Sequence, residues 1–117
     1  MKLLTIELER KFEKVAKNKF TVEGTKNEKD PTIIAKYFHP FRGATWYATE
    51  YDPETQRFFG FVAGMTGNPI DDEWGYFDLQ EMESLRVNGL PLERDLHFGN
   101  PKASEVSEIN RYYKRFN

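Results

Sequence analysis

The sequence TWYATEYDPETQRFFGFV, residues 45–62, decides the fold. β-branched and aromatic residues fill both halves, and Asp52-Pro53-Glu54-Thr55 interrupts them. Asp at the first position of a β-turn bonds its own backbone, and Pro at the second presets φ. The tetrapeptide therefore predicts a tight turn between two antiparallel strands. In the first strand Trp46, Ala48 and Glu50 alternate with Thr45, Tyr47, Thr49 and Tyr51. In the second, Phe59, Phe61 and Ala63 alternate with Phe58, Gly60 and Val62. Apolar groups on both faces predict a sheet covered on both sides. Gly60 in mid-strand signals a bulge or a close approach by a large aromatic.

Upstream, Leu4, Leu8, Phe12 and Val15 recur at helical spacing among charged residues. They predict an amphipathic helix over about Thr5 to Lys17. Thr5 suits its N-cap, and Glu7, Glu9, Lys14 and Lys17 suit its dipole. Asn18 to Pro31 is polar, with a short strand expected at Phe20 and Val22 and loop elsewhere. Thr32 to His39 reads as a strand ending at Pro40, with Ile33, Ala35, Tyr37 and His39 on one face.

Downstream, Gly64 to Asp72 reads as a loop and Trp74 to Phe77 as a fourth strand. Asp78, with Glu81 three residues on, predicts a short helix from Leu79 with Met82 and Leu85 inward. Leu92, Arg94, Leu96 and Phe98 then share one face, opposite Glu93, Asp95 and His97. Ser104 opens a C-terminal helix with Val106, Ile109, Tyr113 and Phe116 as its apolar stripe. This order predicts one α+β domain over residues 1–117. Its core is an antiparallel β-meander of about four to five strands, packed by an N-terminal helix, a short middle helix and a C-terminal helix.

A chain of 117 residues buries a core without disulfides or metals. The absence of Cys excludes disulfides, thiolate zinc sites and Cys nucleophiles. The charged opening MKLLTIELERKFEKV has no leader-like apolar run, and no segment approaches the ~20 apolar residues of a membrane span. A soluble, cytoplasmic protein is expected.

Catalytic chemistry finds little support. Ser occurs only at 84, 104 and 107, none in a nucleophile-elbow context. No HExxH or EF-hand loop is present, and the glycines of residues 60–67 lack the Lys-Ser/Thr of a phosphate loop. Glu93, Asp95 and His97 fall on one strand face and could in principle ligate a metal, but the spacing is ordinary for an exposed strand, and a solvated or salt-bridged face is the expected reading. His39 reads as a strand-end residue. Arg94, on the apolar side, requires a carboxylate, and Glu50, sharing a face with Trp46, is the expected partner in a structural ion pair. No catalytic residue, metal or cofactor is expected.

Charge is the stronger signal. Net charge is −2, yet residues 1–49 carry +4, residues 50–83 carry −8 and residues 84–117 carry +2. Asp52, Glu54, Asp71, Asp72, Glu73, Asp78, Glu81 and Glu83 make the acidic block and are the expected partner-binding residues. An anionic surface repels phosphate, which disfavours direct nucleic-acid binding there. The alternative is an accessory nucleic-acid-binding module working through a basic face of Lys11, Lys14, Arg111, Lys114 and Arg115 on the terminal helices.

Four pieces, Trp46-Tyr47-Ala48-Thr49-Glu50, Phe58-Phe59-Gly60, Gly75-Tyr76-Phe77 and Gly89-Leu90-Pro91-Leu92-Glu93-Arg94-Asp95-Leu96, carry a resemblance. Together they resemble a small family of uncharacterised single-domain proteins borne by plasmids, phages and integrative elements. The likeness covers most of residues 1–98, and departs from it in 16–31, in 65–73 and after Ser104. Some similar proteins are anti-CRISPR inhibitors of Cas9. The resemblance therefore implies a non-enzymatic protein of a bacterial mobile element whose partner is a Cas9-type effector or its guide-RNA complex. The family offers no catalytic residue to carry over.

Overall fold

The structure, a computed structural model, describes residues 2–18 and 30–116. Helix α1 spans Ile6–Asn18, followed by strands β1 (Ala35–His39), β2 (Arg42–Asp52), β3 (Arg57–Ala63) and β4 (Glu73–Asp78). Helix α2 (Leu79–Ser84) precedes the two-residue strands β5 (Arg86–Val87), β6 (Leu90–Pro91) and β7 (Glu93–Arg94), and α3 (Ser107–Phe116) closes the chain. The main sheet has the order β4-β3-β2-β1-β7 and is antiparallel throughout; β5 and β6 form a separate hairpin. This is the α+β meander that the sequence predicts.

Both faces of the sheet are covered, as the hairpin's apolar alternation requires. On one face α1 and α2 pack Leu8, Phe12 and Met82 against Tyr37, Trp46 and Phe58. On the other, Val106 and Ile109 pack against Tyr47, Phe61 and Ala63. Thr5 caps α1 as expected, its Oγ1 accepting from Leu8 N at 3.2 Å. The strand expected at Phe20 and Val22, and the side chain of Phe116, lie outside the described residues.

The central hairpin departs from simple alternation at one residue. Pairing steps from Ala48–Gly60 to Glu50–Phe59, so Thr49 is an extra residue, a β-bulge. Its Oγ1 donates to Phe59 O at 3.1 Å. Gly60 is required there, because a Cβ would lie 2.0 Å from Tyr47 O. The bulge resets the faces: Tyr51 joins Trp46 and Ala48, while Glu50 sits opposite Phe59 on the Tyr47 and Phe61 side. The turn occupies Pro53–Gln56, one residue later than expected, because Asp52 pairs with Arg57. Asp52 Oδ1 accepts from Glu54 N at 3.0 Å, and Gln56 closes the turn at φ 56°.

Other boundaries also move for local reasons. Regular pairing in β1 begins at Ala35, and Thr32 makes a single bridge to Lys102. Ile33 therefore faces α3 while Ile34 and Ala35 both face α1. Leu85 is exposed, because α2 ends at Ser84 and Leu85 leaves it in an extended conformation. The final helix starts at Ser107, after a 3₁₀ turn over Ala103–Glu105. Asp30 anchors that turn, its carboxylate accepting from Ser104 N at 2.8 Å and Ser104 Oγ at 2.7 Å. Asn88 and Gly89, at φ 53° and 78°, form the two-residue loop of the β5–β6 hairpin, which sequence reasoning missed. β7 stops after Arg94, where Asp95 Oδ1 accepts from His97 N at 2.9 Å and turns the chain. No helix among the described residues is long and apolar enough to cross a membrane.

Candidate partner-binding surface

Five of the eight expected acidic residues meet at one corner of the sheet. Asp52 and Asp78 both stand opposite Arg57, on neighbouring strands. Asp78 caps α2, its Oδ1 accepting from Gln80 N at 2.8 Å and Glu81 N at 3.3 Å. The capped helix presents Glu81 and Glu83 to solvent. Leu79 N donates to Gln56 O, and Gln80 Nε2 to Gln56 Oε1, each at 2.9 Å. These bonds hold the turn carrying Glu54 against α2. The Tyr51 phenol reports the resulting field. Burial raises its pKa first, and Glu9, Glu83, Asp52 and Asp78 raise it further. Two cations lie beside this corner among the described residues: Arg57, over the Tyr76 ring at 5.6 Å, and Arg86, donating to Glu83 O at 2.7 Å.

Asp71, Asp72 and Glu73 lie at the other end of β4, roughly 17 Å away along a six-residue strand. Asp72 is only 5% exposed and serves the fold. Its Oδ1 accepts from Gly64 N at 2.9 Å, and its Oδ2 lies 3.6 Å from Arg111 Nη2. Asp71 is exposed and accepts from Thr66 Oγ1 at 2.7 Å; Glu73 is exposed. The acidic block is thus two patches at opposite ends of β4, with Asp72 withdrawn from the surface.

The expected basic face is divided by the sheet. Lys11 and Lys14 belong to α1, which packs on one face, while Arg111, Lys114 and Arg115 belong to α3 on the other. Arg111 faces Asp72, and Arg115 Nη1 donates to Pro69 O at 3.2 Å, so α3 spends two of its cations fastening the 64–72 loop.

Strand register places Arg94 and Glu50, the expected ion pair, on different faces of the sheet. Arg94 stands opposite Tyr37, and Tyr37 opposite Trp46, which places it on the α1 side. The bulge has turned Glu50 to the α3 side. Tyr37 itself donates to Leu3 O at 2.6 Å; burial raises its pKa far above the ordinary phenol value, with Arg94 pulling the other way.

Asp95 pairs with Lys36 at 3.7 Å, and His97 lies in the turn after β7. No three of His, Cys, Asp and Glu among the described residues are placed to hold a metal ion. His39 is buried; its Nδ1 accepts from Phe41 N at 3.1 Å, so its Nε2 carries the proton and donates to Leu90 O at 3.1 Å. Sequence reasoning also missed a cleft of about 330 Å³ between α1 and residues 94–100. Much of its polar wall is engaged in the fold: Asn100 Nδ2 donates to Ile33 O and Ile34 O, each at 3.1 Å.

Among known families, a model described as a protein of unknown function, DUF2958, matches residues 3–112. The match runs into α3, past the stretch that the four motif pieces span. No curated protein and no solved structure matches the chain.

Proposed function

We propose, for a chain that belongs to the DUF2958 family of proteins of unknown function, a non-enzymatic role as an inhibitor carried by mobile elements. It binds an RNA-guided nuclease of the Cas9 type, or its guide-RNA complex, and blocks DNA binding or cleavage. The observation that carries this reading is the corner where Asp52, Glu54, Asp78, Glu81 and Glu83 meet. Such effectors hold guide and target in a strongly positive channel that recognises backbone charge. A small protein with clustered carboxylates on a rigid turn-helix corner competes for that channel as a phosphate mimic. Its attraction weakens as the Debye length falls from about 10 Å at 0.1 M salt to about 3 Å at 1 M.

The test combines pull-down and cleavage with purified effector and guide RNA. Inhibition is expected for the native chain, weaker in high salt, and lost in the triple variant Glu54→Lys, Glu81→Lys, Glu83→Lys. Absence of binding at excess protein across several effector types refutes the role.

A further inference from the structure

Asparagine is a chemically labile residue, and its neighbour decides how labile. The main-chain nitrogen of the next residue can attack the asparagine Cγ and close a five-membered ring. That nitrogen must carry a proton and must not be crowded. Asn occurs at 18, 27, 68, 88, 100, 110 and 117. Asn68 and Asn100 precede Pro69 and Pro101, which have no N–H. Asn18, Asn27 and Asn110 precede Lys19, Glu28 and Arg111, whose side chains crowd the attacking nitrogen. Asn88 precedes Gly89, which has no side chain, and nothing among the described residues lies within 4 Å of a Cβ built there.

The fold puts this pair where the ring can close. Asn88 and Gly89 are the two loop residues of the β5–β6 hairpin, and both are exposed. Their φ values of 53° and 78° belong to a tight two-residue turn, and ring closure requires Asn88 to leave it. The hairpin is built to open. It pairs only Arg86 with Pro91 and Val87 with Leu90, apart from the five-stranded sheet. A two-stranded ribbon has little stability of its own, and units of that kind open far more cheaply than the core. A hydrogen bond of 3.1 Å from His39 Nε2 ties Leu90 O to the end of β1.

We propose that Asn88-Gly89 is a site of spontaneous covalent modification whose product releases Leu90 from His39. The Gly89 nitrogen attacks Asn88 Cγ, so a C–N bond forms there and the Cγ–Nδ2 bond breaks. The proton of the Gly89 N–H leaves with Nδ2 as ammonia. Water then opens the cyclic imide. Opening at the side-chain carbonyl gives aspartate, and opening at the main-chain carbonyl gives isoaspartate. Both products place a new carboxylate at the hairpin tip. Isoaspartate also routes the main chain through Cβ and Cγ, which adds one carbon between Val87 and Leu90. Loop length sets hairpin register, so the Val87–Leu90 pairing is lost and Leu90 O moves off the imidazole.

The test holds the intact protein in warm neutral buffer for several weeks. Peptide mapping by mass spectrometry, with enzymatic methylation of isoaspartate, locates the change. The expected result is a gain of one mass unit at Asn88, with isoaspartate among the products, ahead of every other Asn. Its rate should stay within about tenfold of that in the chain unfolded by guanidinium, because the hairpin opens cheaply. Asn88→Gln, which would have to close a six-membered ring, should stay unmodified over the same period, and its circular dichroism reports whether it folds. In the isoaspartate fraction the ring resonances of His39 should shift while the amides of α3 keep their positions. An unmodified Asn88 overturns the proposal, as does a rate further below the unfolded chain's or faster modification at another Asn. Unmoved His39 resonances in the isoaspartate fraction overturn it equally.

Discussion

Two glycines that face each other across β3 and β4 should respond in opposite senses to the same substitution. Gly60 and Gly75 are direct partners, and each carries φ outside the left-handed region, so alanine is conformationally acceptable at both. Their surroundings differ. A Cβ on Gly60 meets Tyr47 O at 2.0 Å, Tyr47 C at 2.8 Å and Ala48 Cα at 2.9 Å, all backbone atoms of β2. Those atoms cannot swing aside as a side-chain tip does. Relief requires β2 and β3 to part next to Phe58 and Phe61, both fully buried. Overpacking costs about 1–3 kcal/mol, with rigid neighbours at the upper end. The smaller entropy of the unfolded alanine chain returns about 0.4–1 kcal/mol. Gly60→Ala should therefore destabilise by about 2 kcal/mol. Among the described residues Gly75→Ala meets nothing within 4 Å, so it keeps the entropic gain alone, about 0.5 kcal/mol. With a urea slope of about 1–3 kcal/mol/M, the midpoint should fall by roughly 1 M for Gly60→Ala and rise by a few tenths for Gly75→Ala. Circular dichroism during urea titration reads both. Equal midpoints for the two variants, or a Gly60→Ala midpoint at the native value, would refute the argument that the bulge at Thr49 holds β2 against Gly60.

Two further effects follow from buried polar groups. His39→Ala should leave Phe41 N–H and Leu90 O without the imidazole that joins them, at about 2 kcal/mol or more; amide exchange at Phe41 should quicken beyond the global loss, and unchanged exchange there would contradict the assigned bonds. Alkaline pH should unfold the protein: burial lifts Tyr113 from 10.0 to about 12, and burial with the Tyr47–Glu108 hydrogen bond lifts Tyr47 still higher. A phenol whose folded pKa is raised contributes its stability fully below pH 10, and that stability is lost as pH climbs toward and through the folded value. Urea midpoints should hold between pH 8 and 9.5 and fall between about pH 10 and 12, with phenolate absorbance rising at unfolding.

Much of the architecture is written locally. Asp52-Pro53 sets its turn through its own side chain and ring, and Leu4, Leu8 and Phe12 specify a helix face by spacing alone. The bulge at Thr49 is different, because it depends on a strand ten residues away and on Gly60 giving Tyr47 O room. Gly60 announced an irregularity but not which strand would carry it, so the face of Glu50 was misread. The Asn88-Gly89 hairpin was legible, since that dipeptide favours two successive positive φ values. Charge totals gave the acidic block but carried no position. That Asp72 would turn inward to Gly64 and Arg111 depends on how α3 packs over the 64–72 loop, which no local pattern contains.

The acidic corner can be divided by what each carboxylate already does. Asp52 and Asp78 accept main-chain hydrogen bonds from Glu54, Gln80 and Glu81, so the turn and the helix start account for them. Glu54, Glu81 and Glu83 are exposed, and among the described residues no carboxylate bond ties them to the fold. Crowded like charges on a surface cost a few tenths of a kcal/mol each. Glu81, in the first turn of α2, also suits the helix dipole, but folding gives no such reason for Glu54 and Glu83 to be acidic, whereas a basic partner accounts for all three. Replacing them relieves repulsion and leaves every observed cap in place. Loss of partner binding in that triple variant would accordingly report on recognition, whereas the same loss in Asp52 or Asp78 variants would mix recognition with a frayed corner.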